Sequence, residues 1–275
     1  MPLTKRERVM RTVRFEETDR TPCYDILEND AIIEHYAGCH LTPENGREVK
    51  GLAIGRVLDM TRMPYGPWQP RRYQRDDGLI IQQERWTAWI IERPFHDLPT
   101  LIAWVEKEID RADALVRDDA YAEKTHEEIR ALQRIFARGD PTGRDDPTVL
   151  VLESGVGLNE MYWAAGMELF AYLMADEPDL VEAWLEARLQ AELRRVAAIA
   201  DSTLIPIALT YDDIAYKNGL LFSPRWLRRL WVPRLERLIE AWHARDTVCL
   251  FLSDGKLWSI LEDLVQAGID GLNPL

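Results

Sequence analysis

The chain has 275 residues, of which 47% are hydrophobic and 29% charged, a balance that suits a soluble globular protein with room for one α/β barrel or two smaller domains. A formal net charge of -13 and a pI near 4.9 exclude nucleic acid and anionic membrane surfaces as the main partner and leave a small molecule or another protein. Three cysteines, odd in number and without CxxC spacing, indicate neither a disulfide framework nor a structural zinc knot. With no apolar run near the ~18 residues of a membrane span and an N-terminus too charged for a signal peptide, a cytoplasmic location is expected.

Thr4 and Glu7 have capping-box spacing, and Val9, Met10 and Val13 form a short apolar stripe, so a helix is expected over residues 4–15. Pro22 to Leu27 then reads as a short strand with Tyr24 and Asp25 near its end. Helical stretches around 29–37 and 44–56 lead to a second strand at 57–60. Residues 64–78, with Pro64, Gly66, Pro67, Pro70 and the cluster Arg71, Arg72 and Arg75, read as an exposed connection. Leu79 to Glu92 predicts one or two antiparallel strands, and 98–138 two helices broken near 117–120. The apolar run Val149 to Leu152 ends in Glu153, Ser154, Gly155 and Gly157. Helices follow near 158–174 and from Asp176, taken as an N-cap with Pro178 in the first turn. Leu204 to Leu209 is a buried-type strand containing Pro206, and it runs into Tyr211, Asp212 and Asp213. Ser223 and Pro224 open the next helix, where Pro233 predicts a kink.

The last 29 residues read as one complete βαβ unit. Val248 to Leu252 is a continuous apolar strand expected to be buried on both faces, and Ser253, Asp254 and Gly255 turn the chain. Leu257, Ile260, Leu261, Leu264 and Val265 recur at helical spacing, Gly268 stops the helix, and Ile269 to Leu275 starts another strand. Six strands alternating with helices, beginning near residues 22, 57, 149, 204, 248 and 269, predict a parallel sheet with its chemistry at the strand carboxyl ends.

Three segments, TKRERVMRTVRFEETDRTPCYD, DDIAYKNGLLFSPRWLRRLWVPRLERLIEAWHA and LSDGKLWSILEDLVQAGIDGLNPL, together resemble the uroporphyrinogen decarboxylase superfamily, and among its members the methyltransferase-like branch. The resemblance implies a TIM-type (β/α)8 barrel as one domain over residues 1–275, with an insertion near 64–138. It also implies a cobamide-linked methyltransferase for a small substrate, the corrinoid being carried by a partner protein. Porphyrinogen decarboxylation is the alternative within the family, and a non-catalytic binding protein or fragment of the fold is the alternative outside it. The chain departs from the family in two places. Family barrels continue for two more β/α units, so a barrel truncated after the sixth strand is expected, with open strand edges that invite a homo-oligomer. Methyltransferase members carry a His, one residue and a Cys at the fifth strand end. Leu252 and Asp254 stand there, so neither a zinc site nor a directly bound cofactor is expected. Decarboxylase members use arginines after the first strand, where this chain has Tyr24, Asp25, Glu28 and Asp30.

Candidate catalytic residues are Asp212 or Asp213, as an acid/base or substrate partner, and Asp254, which ordinary turn chemistry explains equally well. Candidate substrate-binding residues are Tyr24, Asp25, Glu153, Tyr211 and Asn273, each with a structural alternative as a cap, a paired core tyrosine or a turn residue. The five histidines are scattered without ligand spacing, and the cysteines read as small apolar residues.

Overall fold

The computed structural model describes residues 2–273. In chain order its elements are α1 (Lys5–Val13), α2 (Asp30–Ala37), α3 (Gly46–Val57), β1 (Met60–Arg62), β2 (Arg71–Gln74), β3 (Ile80–Gln83), β4 (Ala88–Glu92), α4 (Leu98–Ala114) and α5 (Asp119–Gly139). They continue with β5 (Val149–Ser154), α6 (Leu158–Ala165), α7 (Met167–Asp176), α8 (Pro178–Ile199), β6 (Ile207–Tyr211), β7 (Ala215–Tyr216) and β8 (Gly219–Leu220). The last are α9 (Pro224–Trp226), a π-helical turn (Leu227–Trp231), α10 (Val232–His243), β9 (Val248–Leu252), α11 (Leu261–Gln266) and β10 (Gly271–Asn273).

Five strands form one parallel sheet in the order β1-β5-β6-β9-β10, and Tyr24 adds a parallel bridge to Met60 at the β1 edge. Parallel strands that neighbour one another in chain order, each returned by helical connections, make an arc of a barrel. The fold is thus a half-barrel, consistent with a partial TIM-like barrel. The insertion carries a separate antiparallel sheet, β2-β3-β4. Arg71 and Arg72 therefore lie in an edge strand rather than a loop.

Side-chain alternation separates two cores. Leu150, Leu152, Ala208, Cys249 and Phe251 point outward into the large cluster with Trp184, Trp231 and Trp242. Val149, Val151, Ile207 and Leu209 point inward and are covered by Val9 of α1, with Met10 and Val13 beside it. The Thr4–Glu7 capping box starts that helix as its spacing predicts. An ionic knot then fixes it: Arg8 contacts Asp19 and the fully buried Asp59 at 2.7 Å each, and Asp59 also accepts from Arg20 and from the Cys23 backbone N–H. The polar run 16–20, which reads as a simple helix stop, supplies half of this knot.

Four local expectations need correction. The first strand is a single bridge, because Leu27 adopts a left-handed conformation (φ 42°) and the segment is tethered through Asp59 instead of a ladder. Asp176 ends α7 and does not cap α8, whose N-cap is Glu177 without a side-chain bond. The irregularity expected at Pro233 is the π-helical turn just before it, which runs without a break into α10, with Pro233 as its second residue. β9 is buried on its outer face only, at Cys249 and Phe251, since α1 does not reach Val248, Leu250 and Leu252 as fully as it does β5. Gly268 (φ 96°) does terminate α11, which is only six residues long and leaves Val265 exposed. Of the strand expected over 269–275, Pro274 and Leu275 lie outside the described residues.

Candidate functional site at the strand carboxyl ends

The carboxyl ends of β5 and β6 are joined to their helices by turns that only particular residues allow. Gly155 lies against the Tyr211 carbonyl, which a Cβ would meet at 2.5 Å, and Gly157 (φ 98°) lies against Arg188 Nε, which a Cβ would meet at 2.3 Å. Glycine at both positions lets β5 turn directly into α6 while α8 closes over it. Between β5, α6, α8 and the end of α4 is a cleft of about 460 Å³ lined by Glu153, Asn159, Glu160, Trp163, Arg188 and Tyr211 among others.

The cleft is framed by committed ion pairs and contains uncommitted donors. On the outer side of β5, Trp242 Nε1 donates to Ser154 Oγ at 3.0 Å, Ser154 donates to Glu192, and Arg195 bonds Glu192 and the Glu153 carbonyl. On the inner side, Arg62 Nη1 pairs with Glu153 at 2.7 Å, and Tyr24 lies close enough to feel both charges. Burial pushes the Tyr24 phenol up, with Arg62 opposing. In contrast, Asn159 Nδ2, Arg117 Nε and Arg188 Nε are buried without a hydrogen-bond partner among the described residues. Asn159 is 1% exposed, and Arg188 has only a loose 3.5 Å contact with Glu160. Unpaired buried donors are costly, and three on one cleft fit an acceptor-rich ligand.

The two adjacent aspartates do different things. Asp212 is 1% exposed and accepts from Asn159 N at 2.7 Å, Gly157 N at 3.3 Å and Trp231 Nε1 at 2.9 Å. It therefore caps the N-terminus of α6 and ties it to the π-helical turn. Burial, reinforced by the Glu160 charge, pushes its carboxyl up to about 7, against the pull of these donors. Asp213 is half-buried at the rim and accepts from Ser253 Oγ at 3.3 Å, while its carbonyl accepts from Tyr162 OH at 2.8 Å. Burial and the neighbouring Asp254 push Asp213 up, and burial with Asp213 pushes the Tyr211 phenol up to about 12. Asp254 is exposed.

The register places Tyr211, Leu252 and Asn273 side by side across β6, β9 and β10. Glu153 and Tyr211 line the cleft, whereas Asp213, Asp254, Asn273 and Tyr24 do not. Asp25 is exposed, and among the described residues its carboxylate is bonded to the next backbone N–H alone. Sequence reasoning missed Arg62, Asn159, Tyr162 and Arg188. Two of them left a signal: Arg62 shares its strand face with Met60, and Arg188 follows Trp184 by four residues in the buried stripe of α8, where a charge is out of place.

No family model matches the chain, and no curated protein matches it. Among solved structures, a methyltransferase from Methanosarcina mazei superposes with a TM-score of 0.64 at 17% identity, over 98% of this chain and 75% of that one. The likeness is one of fold: nearly the whole half-barrel, insertion included, has its counterpart in that enzyme.

Proposed function

We propose that the protein is an enzyme of the uroporphyrinogen decarboxylase superfamily that moves a methyl group between a small substrate and a corrinoid carried by a partner protein. The observation that supports this most directly is the cleft at the carboxyl ends of β5 and β6, in a fold shared with an archaeal methyltransferase. In this reading Arg188, Arg117 and Asn159 hold an acceptor group of the substrate, and Tyr211 and the Arg62–Glu153 pair orient it. Asp213 lies outside the cleft lining but close to Tyr211, so a substrate that extends past Tyr211 reaches it; there Asp213, its carboxyl raised by burial and Asp254, takes or returns the proton as the substrate heteroatom gains or loses the methyl group. Asp212 holds α6 in place. A thiol-activating zinc of the family type does not fit here, because Leu252 offers no lone pair, and no step passes through one.

The unpaired donors of Arg117 and Arg188 favour a second reading, decarboxylation of a carboxylate-bearing porphyrinogen, though the acidic segment Asp25, Glu28 and Asp30 opposes a polyanion. The test is methyl transfer from methylated thiols, amines and phenols to cob(I)alamin, and from methylcob(III)alamin to the free thiols, amines and phenols, followed spectroscopically, with uroporphyrinogen turnover run beside it. Turnover with a thiol, amine or phenol that drops about 10²-fold in Asp213→Asn supports the first reading. Background rates throughout would leave a non-catalytic binding protein.

A further inference from the structure

A second cluster lies at the opposite, amino-terminal end of the strands. His243 closes α10, Cys249 is the second residue of β9, and Asp270 immediately precedes β10. One ligand atom from each lies within 4.8 Å of the other two, and among the described residues these are the only three His, Cys, Asp or Glu groups so arranged. Asp270 Oδ2 is 2.9 Å from His243 Nε2 and also accepts from the Cys249 backbone N–H at 2.7 Å. A simple His–Asp pair explains those contacts but leaves out the thiol. Cys249 Sγ is fully buried, lies within 4.8 Å of both other ligand atoms, and among the described residues has as hydrogen-bond partner only the Thr247 carbonyl at 3.9 Å.

We infer that His243, Cys249 and Asp270 form a site for a divalent cation of the zinc class, which pins the end of α10 to β9 and β10. Nitrogen, sulfur and oxygen donors together select a borderline-soft ion over magnesium or calcium. Bonds of about 2.0–2.3 Å set tetrahedral ligand atoms about 3.3–3.7 Å apart. Closure from the present spacing therefore needs roughly an ångström of movement. The two exposed partners supply it: the His243 side chain is 40% exposed and Asp270 is 36% exposed. On binding, the ion displaces the proton of the buried Cys249 thiol to solvent, the sulfur closes one side of the site, and water completes the fourth position from the solvent side. The bound ion adds a cross-link to β10, which among the described residues holds to β9 through three register pairs.

The test uses the full chain carrying Cys23→Ser and Cys39→Ser, both exposed positions, stripped with chelator and titrated with cobalt(II) as the probe. One equivalent should produce a thiolate-to-cobalt charge-transfer band that zinc abolishes, and zinc should raise the melting temperature. Adding Cys249→Ser should remove the band, and adding His243→Gln should weaken cobalt binding about tenfold or more. No band, or a band that survives Cys249→Ser, overturns the inference. If Cys249→Ser does not fold, the exposed His243→Gln decides: unchanged cobalt affinity overturns the site, and the expected loss upholds it.

Discussion

Replacing Asp212 and Asp213 one at a time with alanine separates an architectural carboxylate from one available for chemistry. Asp212→Ala strands three buried donors, Gly157 N, Asn159 N and Trp231 Nε1. At about 1–3 kcal/mol each, that is a loss of about 3–9 kcal/mol. Removing a buried carboxyl returns part of it: a rise from 3.8 to about 7 corresponds to at most about 4 kcal/mol of penalty at neutral pH. The net expectation is a loss of about 3 kcal/mol, a large share of the ~5–15 kcal/mol that holds a protein folded. The sign with pH follows from the raised carboxyl. Its protonated form is favoured in the fold, so the wild type is best served below pH 4 and loses this contribution as pH rises towards 7. The gap between wild type and Asp212→Ala should therefore be wider at pH 5 than at pH 8. Urea unfolding followed by tryptophan fluorescence measures it, with Trp231 as a reporter beside the substitution. Asp213→Ala removes only a 3.3 Å bond at the rim and should cost less than about 1 kcal/mol. Equal losses for the two variants, or a loss below 1 kcal/mol for Asp212→Ala, would refute the assignment.

Two more variants probe the same framework. Lys50 is 1% exposed, donates to the Tyr65 carbonyl and sits over the Tyr65 and Trp86 rings, and burial pushes its ammonium down to about 8. The fold therefore carries a charging penalty below pH 8 that fades as pH rises to 10.5, worth up to about 3 kcal/mol. Urea unfolding at pH 7 and 10 should show this gain in the wild type and lose it in Lys50→Met. Gly157→Ala places a Cβ against Arg188 in a left-handed conformation, so it should destabilise by about 2 kcal/mol and weaken any carboxylate ligand of the cleft, read by calorimetry.

Much of the fold was legible from local chemistry. Capping at Thr4 and Ser223, the stop at Gly268 and the apolar runs at 149, 207 and 248 depend on residues close in sequence, and so do the elements they mark. Boundaries moved where a distant group intervened. The segment at 22–27 gave up its ladder to Asp59, thirty-odd residues away, and β6 begins only after Pro206, whose nitrogen cannot donate to the sheet.

The site divides along the same line. Sequence alone determined that acidic residues and glycines follow the buried strands, because a strand must end in turn chemistry and a parallel sheet gathers those ends together. It left Asp212 and Asp213 as equals. Only the tertiary structure distinguished them, since which carboxylate meets the α6 backbone and the Trp231 indole depends on how the β6 end packs against α6 and the π-helical turn. The same holds for Arg62, Asn159 and Arg188. Their residue types are ordinary, and what sets them apart is burial beside groups 28 to 91 residues away, or burial with no hydrogen-bond partner among the described residues, which spacing along a chain does not encode.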